Sequence, residues 1–494
     1  MTLRREAGRS SIWMLAGNAG QQVFGFLVFI YLARILTPAD FGTIALAYVV
    51  TDTLTQVGRL GQVEALQQRA ELSHETASTA FWLLQGMGLL FSVLVVLLAA
   101  PAERLFEAPH LADVLYLLAP VCFLQCLGGV HEAWLRRSFG FRALATRTFV
   151  AALAGSVVAA ALATFGFGLY ALAAQRLVVV GTLTALVFVS YRWVPGLHFQ
   201  RGEARALLRT GFDVTTATVM NMIGPRIVDG IVGLFLGVTL LGQLRIAWRI
   251  VDFINQLTFQ PVVSVALSSL SRLQEDKDAV RRAFLRFVQI SALATIPVFV
   301  GLALVADDLF ALLLGPQWAS AVPLFRILAL VSLSAPINFF FAPTLIAVGE
   351  TATVLRQAAL QLVLTVGLAT LAAQVGLRSV LAAHVLRSYV VSGFNFTALK
   401  RHVGLTFGSL FHALLPPTAA AAVMAVAVLG RQMALPGLEA WAGLGCDIAL
   451  GAIAYAGVLL GGDFGHLWPR HIRGLAGLVS DILRRNPAIA GKAS

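Results

Sequence analysis

Charge is what this chain has little of. Asp, Glu, Lys and Arg make up 12% of its 494 residues, while apolar residues make up 58%. A soluble globular domain carries about a quarter charged residues, so water is excluded as the solvent for most of this surface. Cysteine is scarce as well: Cys122, Cys126 and Cys446 are the only three, and each lies in an apolar run. That excludes a disulfide framework. Cys122 and Cys126 are one helical turn apart, but no His or carboxylate joins them at ligand spacing, so they read as small apolar packing groups and no metal site is expected. The chain also lacks a nucleophile motif, a phosphate-cradling loop and any long outward loop. The longest connection of that kind is "PAERLFEAPH", Pro101 to His110.

Long apolar runs are what it has. "FWLLQGMGLLFSVLVVLLAA", Phe81 to Ala100, is about as long as a hydrocarbon core of roughly 30 Å demands. Many such runs give an all-α polytopic membrane protein; a barrel would show short alternating segments instead. Fourteen spans are expected, near 12–33, 41–65, 77–99, 111–133, 147–166, 169–190, 212–235, 243–270, 285–305, 321–348, 354–375, 378–399, 409–430 and 440–461. Nothing polar marks the last pair internally. Arg4, Arg5 and Arg9 precede span one, which reads as a start-transfer anchor rather than a cleaved signal.

The net charge of +12 does not point to nucleic acid, because the basic residues alternate with the spans. Twenty-five Lys and Arg fall on one side, among them Arg69, Arg136, Arg137, Arg142, Arg147 and Arg401. Only Arg34, Arg104, Arg245, Arg378 and Arg431 fall on the other. This bias puts both termini in the cytoplasm. In the tail "RHIRGLAGLVSDIL", Ile472, Leu475, Leu478, Val479 and Ile482 share a face, so an amphipathic helix on the inner leaflet and a loosely ordered tail both remain open.

The chain repeats itself. "ILTPADFGTIALAYVVTD" (Ile35 to Asp52) is echoed by "FLGVTLLGQLRIAWRIVD" (Phe235 to Asp252), pairing Gly42 with Gly242, Tyr48 with Trp248 and Asp52 with Asp252. A weaker echo pairs Gly140 with Gly349 and Arg147 with Arg356. Each copy holds six spans, so the copies point the same way through the bilayer, and proteins built on parallel repeats place substrate between them. The expected organisation is an N-lobe at 1–200, a C-lobe at 201–405, an added helix pair at 406–465 and a cytoplasmic amphipathic tail at 466–494.

Six arginines fall inside spans: Arg59, Arg176, Arg226, Arg249, Arg326 and Arg387, with Asp52, Asp229, Asp252 and His384. Each such charge costs at least about 2.5–3.5 kcal/mol on insertion scales, and they face aqueous cavities or one another. Spacing groups them into polar stripes. Asp52, Thr55, Arg59 and Gln62 share a face of span two, and Arg245, Arg249, Asp252 and Gln256 share one of span eight. Arg226 with Asp229, and His384 with Arg387, are three apart. Asn18, Gln21 and Gln22 add polarity to span one. Arg176 and Arg326 lie near the outer boundary and could snorkel, as Arg59 could inward. Arg226–Asp229 and Arg249–Asp252 could be structural pairs. Arg226 and Arg387 lie deepest. The surplus of Arg over Asp suits an anion, and the planar guanidinium fork matches phosphate. A phosphate or diphosphate site is therefore expected.

Three stretches together resemble a known family. "ARILTPADFGTIALA" looks like the signature of the oligosaccharide flippases of the polysaccharide-transport branch of the multidrug/oligosaccharidyl-lipid/polysaccharide exporter superfamily, with Leu36, Pro38, Phe41 and Gly42 at its core. "LFALLLGPQWASAVPLFRILAL" resembles a second signature, through Gly315, Trp318, Ala321 and Pro323, and "LIAVGETATVLR" the loop that follows. The resemblance covers about residues 10 to 405. It implies two six-helix lobes in a V that alternate between inward- and outward-open states. It implies no enzyme, but movement of undecaprenyl-diphosphate-linked oligosaccharide across a bacterial inner membrane, driven by a proton or sodium gradient and without a cofactor. Partners expected on that basis are the lipid-linked oligosaccharide, membrane lipids and the polysaccharide polymerase machinery. By position, Arg59, Arg226, Arg249 and Arg387 are candidates for the diphosphate, and Asp52, Asp229, Asp252 and His384 for proton coupling. The added pair resembles that of fourteen-span lipid II flippases. Three rivals are a drug exporter of the same superfamily, whose pore should be acidic; a membrane polymerase or ligase, which needs a larger outward loop; and a channel, which the two-lobe repeat disfavours because it suits alternating access.

Overall fold

A computed structural model describes residues 22–59, 62–68, 73–138, 140–436 and 438–464. The anchor arginines Arg4, Arg5 and Arg9, with Asn18, Gln21, Arg69 and the tail at 466–494, lie outside the described residues. Every regular element among the described residues is a helix, and each of the fourteen expected spans overlaps helical chain. Among the described residues, nine helices are long and apolar enough to cross a membrane. Expected spans one, two, seven, eight and twelve are not among those nine: span one is described only over the short apolar helix Gln22–Ile35, and the other four carry the charged residues, which lower their hydropathy.

Three expected spans are broken: span ten divides near Ser334 into helical segments Val322–Ala329, Leu330–Leu333 and Ala335–Ala347, and two more divide at single residues. Span four divides at Gly128 into α5 (Leu111–Leu127) and α6 (Gly129–Arg137). Span eight divides at Phe259 into α10 (Val238–Thr258) and α11 (Gln260–Ser271), with a proline in the first turn of α11. Pro261 has no N–H to continue the ladder of α10, so the chain restarts there. The helices form two compact units. Among the described residues, one comprises 22–249, Leu313–Leu324 and Ala358–His384; the other comprises Ile250–Leu312, Phe325–Gln357 and 385–464.

In the first unit the two signature stretches meet. Helix α1 (Gln22–Ile35) ends just before α2 (Pro38–Arg59). Thr37 and Asp40 cap α2 reciprocally: the Thr37 amide donates to Asp40 Oδ2 at 2.9 Å, and the Asp40 amide to Thr37 Oγ1 at 3.3 Å. That is a capping box, and Pro38 fills the first helical position, where its missing N–H is harmless. Phe41 then packs edge-on against Trp318, with centroids 5.5 Å apart. Trp318 is fully buried and donates its indole N–H to the Ala33 carbonyl at 2.8 Å. So "LTPADFG" and "GPQW" form one packed joint.

The repeat is visible at this joint. A Cβ on Gly42 would stand 1.8 Å from the Val238 carbonyl oxygen, and one on Gly242 would stand 1.8 Å from the Pro38 carbonyl oxygen. The equivalent glycines of the two copies lie face to face, and only hydrogen fits. Nearby, Gly88 of α4 (His74–Phe106) lets α5 approach until a Cβ would be 2.9 Å from that of Cys126. Cys122 and Cys126 are buried in this small-residue seam, as apolar packing groups.

The second unit centres on Phe259, Phe284, Phe340 and Phe341, all buried. A polar seam joins α15 (Ala335–Ala347) to α17 (Leu377–Val403): Asn338 Oδ1 accepts from Ser392 and from Asn395, at 3.0 and 2.9 Å. The last two helices, α18 (Phe407–Ala434) and α19 (Ala440–Phe464), correct a reading from sequence. They do carry an internal polar mark. Asp447 is buried and takes both Nε and Nη2 of Arg431, with Gln432 donating as well, at 2.9 Å. Tyr455 ties α19 to the Leu293 carbonyl of α12 (Lys277–Leu304) at 2.9 Å.

The glycine contact gives a direct test. Gly42→Ala should cost more than about 1 kcal/mol by overpacking backbone against backbone, and should lower the thermal midpoint in detergent by several degrees. Gly86→Ala, which has nothing within 4 Å of its new Cβ, should leave the midpoint unchanged within a degree.

Candidate functional site

The charged stripe of α2 ends up inside the first unit, in contact with four other helices. Asp52, at the middle of α2, holds two arginines. Its Oδ1 accepts from Nη2 of Arg176 at 2.8 Å, and its Oδ2 from Nη2 of Arg226 at 2.5 Å. Arg176 belongs to α8 (Leu169–Ser190) and Arg226 to α9 (Arg201–Leu236), directly after Pro225. Arg226 reaches a second carboxylate, Asp229, at 3.9 Å, and Asp229 is met by Arg245 of α10 at 3.3 Å. The guanidinium of Arg176 also lies 5.6 Å from the centroid of the Tyr48 ring, close enough for a cation–π contact.

Two turns along α2, about 10 Å at 1.5 Å per residue, a second station forms around Glu132 of α6. Its Oε2 sits 3.5 Å from Arg59 and 3.2 Å from Arg147 of α7 (Phe141–Thr164). Its Oε1 accepts from Nε and Nη2 of Arg136 at 3.1 and 2.7 Å. Three carboxylates thus hold six arginines: 59, 136, 147, 176, 226 and 245. Each carboxylate is shared by at least two guanidiniums, so the series keeps a positive surplus in a bundle of low dielectric.

Several sequence expectations meet here and several do not. Asp52, Asp229 and Arg226 come together as expected, but the strongest partner of Arg226 is Asp52, on another helix, rather than Asp229 three residues away. Arg59 belongs to the Glu132 station. Arg176 does not snorkel; it turns to Asp52. Arg245, counted on the outer side by charge sorting, lies inside α10 on the stripe expected for span eight, and Arg147, counted on the inner side, is 11% exposed. Arg249 lies 5.7 Å from the centroid of Phe29, and His384 packs edge-on against Trp248 at 4.8 Å. Arg387 and Asp252 belong to the second unit. Arg326 holds Asp307 at 2.5 Å in that unit, and both side chains are substantially exposed, which fits a boundary position.

Glu132 was missed altogether. Its signal was present: it stands four residues before Arg136 in "HEAWLRR", the spacing of an ion pair on one helix face. Glu132 falls just inside the expected span 111–133, yet it was not counted among the intramembrane acids.

Comparison with known proteins follows the fold and the signatures. The family described as polysaccharide biosynthesis protein matches residues 31–323. The succinoglycan biosynthesis transport protein ExoT of Rhizobium meliloti (strain 1021) is 28% identical over 369 residues, 74% of this chain and 73% of its own. The lipopolysaccharide biosynthesis protein WzxC of Escherichia coli (strain K12) is 23% identical over 67% of this chain and 68% of its own. Among solved structures, the lipid II flippase MurJ in an inward closed conformation superposes with a TM-score of 0.74 at 14% identity, covering 90% of this chain and 98% of that one. The chain therefore shares that fold.

The two aspartates differ in burial, and this predicts different costs. Asp229 is 3% exposed, whereas Asp52 is 23% exposed. Asp229→Asn leaves Arg226 and Arg245 around an uncharged, buried group and should cost about 3–5 kcal/mol, seen as a large fall in thermal midpoint and in folded yield. Asp52→Asn should fold, with a midpoint drop less than half as large.

Proposed function

Because the chain belongs to the polysaccharide biosynthesis protein family, we propose that it moves lipid-linked oligosaccharide across a membrane in the service of polysaccharide assembly. The observation that carries this reading is the carboxylate-bridged series of arginines inside a bundle of membrane-type helices. The relatives named above add support: one is a transport protein of succinoglycan biosynthesis, another a lipopolysaccharide biosynthesis protein.

The chemistry follows from the substrate. A diphosphate headgroup cannot enter hydrocarbon unaided, since burying an unpaired charge costs tens of kcal/mol in the Born limit. A guanidinium supplies up to five donors in a plane and never loses its charge, so it replaces lost hydration without a proton step. Arg226 receives the headgroup, and Asp52 is the counter-ion that the headgroup displaces. The resting pairs satisfy each arginine when no substrate is present; substrate exchanges one anion for another at small net cost. Arg59, Arg249 and Arg387 are further candidates along the route. The oligosaccharide travels with the headgroup while the polyprenyl tail stays in lipid.

The substrate class is an undecaprenyl-diphosphate-linked oligosaccharide, carried from the cytoplasmic to the periplasmic leaflet of a bacterial inner membrane, with both termini cytoplasmic. The motion is a rocking of two six-span lobes, 1–200 and 201–405, and the reciprocal Gly42–Gly242 contact of the repeats supports that symmetry. The added helix pair spans 406–465. Asp52, Asp229, Asp252 and His384 are the groups through which a proton gradient would act, Asp52 foremost because its protonation frees both of its arginines. Delivery to a polysaccharide polymerase follows on the far side.

The test is reconstitution into vesicles loaded with a fluorescent polyprenyl-diphosphate oligosaccharide, scored by quenching with a membrane-impermeant reductant. Wild-type protein should expose inner-leaflet label within minutes, and Arg226→Ala should reduce the rate at least tenfold while remaining folded and inserted. Equal rates in the mutant and the wild type would refute the assignment of Arg226. No flipping by the wild type would refute the function.

A further inference from the structure

We propose that the cleft beside Glu132, lined entirely by residues of the first unit, is a docking station for the phosphate group of a lipid, occupied before the headgroup reaches Arg226. The proposal rests on the reading of the substrate as a lipid-linked phosphate, and adds to it a site and a sequence of stations.

The cleft has a volume of about 130 Å³. A single water needs about 10–15 Å³ by the same kind of measure, so the space admits a group larger than several waters. One wall is cationic, formed by Arg59, Arg147 and Arg176, with Glu132 the only acid among the lining residues. Positive charge is therefore in surplus among the lining residues, Arg176 being shared with Asp52 outside the cleft, in a bundle where the dielectric is low. Nε of Arg147 and Nε of Arg176 are buried with no acceptor among the described residues. Beyond Arg176 the α8 side of the cleft is mostly apolar: Val179, Leu183 and Val187 follow one another four residues apart along one face, beside Thr184. A free inorganic anion needs only the first wall. A phosphate esterified to a hydrocarbon chain uses both.

Its place in the molecule gives the station a direction. Glu132 holds Arg59 and Arg147 through one oxygen, at 3.5 and 3.2 Å. An incoming phosphate offers several acceptor oxygens where Glu132 Oε2 offers one, so it competes well for both arginines. Arg176 lines this cleft and also grips Asp52, which grips Arg226. A headgroup held by Arg147 and Arg59 therefore borders the arginine through which the next station is reached. The rise of α2 separates the two stations by about 10 Å. Each step exchanges one carboxylate partner for the phosphate, and no arginine is left bare in between.

The test uses the full chain purified in lipid nanodiscs and a photoreactive benzophenone ester of farnesyl diphosphate. Irradiation of the wild type, followed by peptide mapping, should place adducts in Gln175–Ser190 or Phe141–Thr164, and farnesyl diphosphate should suppress them. Adducts confined to other segments overturn the proposal without recourse to any variant. In binding measurements, Arg147→Gln and, separately, Leu183→Trp should each weaken farnesyl diphosphate at least tenfold, the first by removing charge and the second by filling the apolar wall. Unchanged affinity in both folded variants overturns the site. Suppression of labelling by inorganic diphosphate as strong as that by farnesyl diphosphate overturns the lipid part, and equal suppression by phosphatidylglycerol overturns selectivity for the substrate's headgroup over bulk phospholipid. The vesicle assay runs in parallel: a wild type that flips but is not labelled in the cleft sinks this inference alone, whereas a wild type that does not flip sinks the functional reading beneath it.

Discussion

Asp52 holds two guanidinium groups at once, and most of the charged architecture of the first unit depends on that sharing. One carboxylate between two arginines leaves a net positive charge, so neither arginine is fully neutralised. In water such an imbalance would matter little. In a membrane-spanning bundle, where the effective dielectric is far lower, the surplus is felt strongly and favours any anion able to reach it. The same arrangement recurs at Glu132 and at Asp229. Each acid is placed where several helices converge, and each holds more positive charge than it can cancel.

Arginine is the side chain that permits this. Of the 36 basic residues in the chain, only Lys277, Lys400 and Lys492 are lysine. An ammonium is a compact charge that can lose its proton when buried, whereas a guanidinium keeps its charge and presents donors in several directions. Arg226 uses that geometry directly, with one terminal nitrogen toward Asp52 and the other toward Asp229. A route built from such groups can pass an anion along by exchanging partners. A buried pair is weak support for stability and better support for a role in which the partner is replaced. The Arg431–Asp447 pair of the last two helices is the contrast: one acid meets one arginine through both carboxylate oxygens, no surplus remains, and the pair reads as a structural tie between α18 and α19.

The signature residues serve the backbone rather than the ligand. Thr37 and Asp40 cap α2, Pro38 starts it, Phe41 lodges against Trp318, and Gly42 admits the Val238 carbonyl. These contacts fix where α2 begins, and thereby the height and face at which Asp52 and Arg59 emerge along it. A motif that carries no chemistry of its own thus sets the coordinates of the residues that do.

The membrane class, the helical fold, the places where helices lie and the signature motifs were all legible in the chain, because low charge, long apolar runs and capping residues are local properties. The stripe on α2 was legible for the same reason: spacing along one helix decides which residues share a face. Which residue meets which was not legible. The sequence suggested that Arg226 answers Asp229 three residues on, but the fold brings Asp52 closer from 174 positions away. It counted Arg147 with the basic residues of the inner side and passed over Glu132, and the packing of α5, α6, α7 and α8 made Glu132 the hub of a cationic cleft. Helical periodicity assigns faces, but only the crossing of helices assigns partners, since contacts between residues on different helices depend on how those helices are rotated and offset. For a buried charge, that tertiary choice decides whether it is a structural tie or a handhold for an anion.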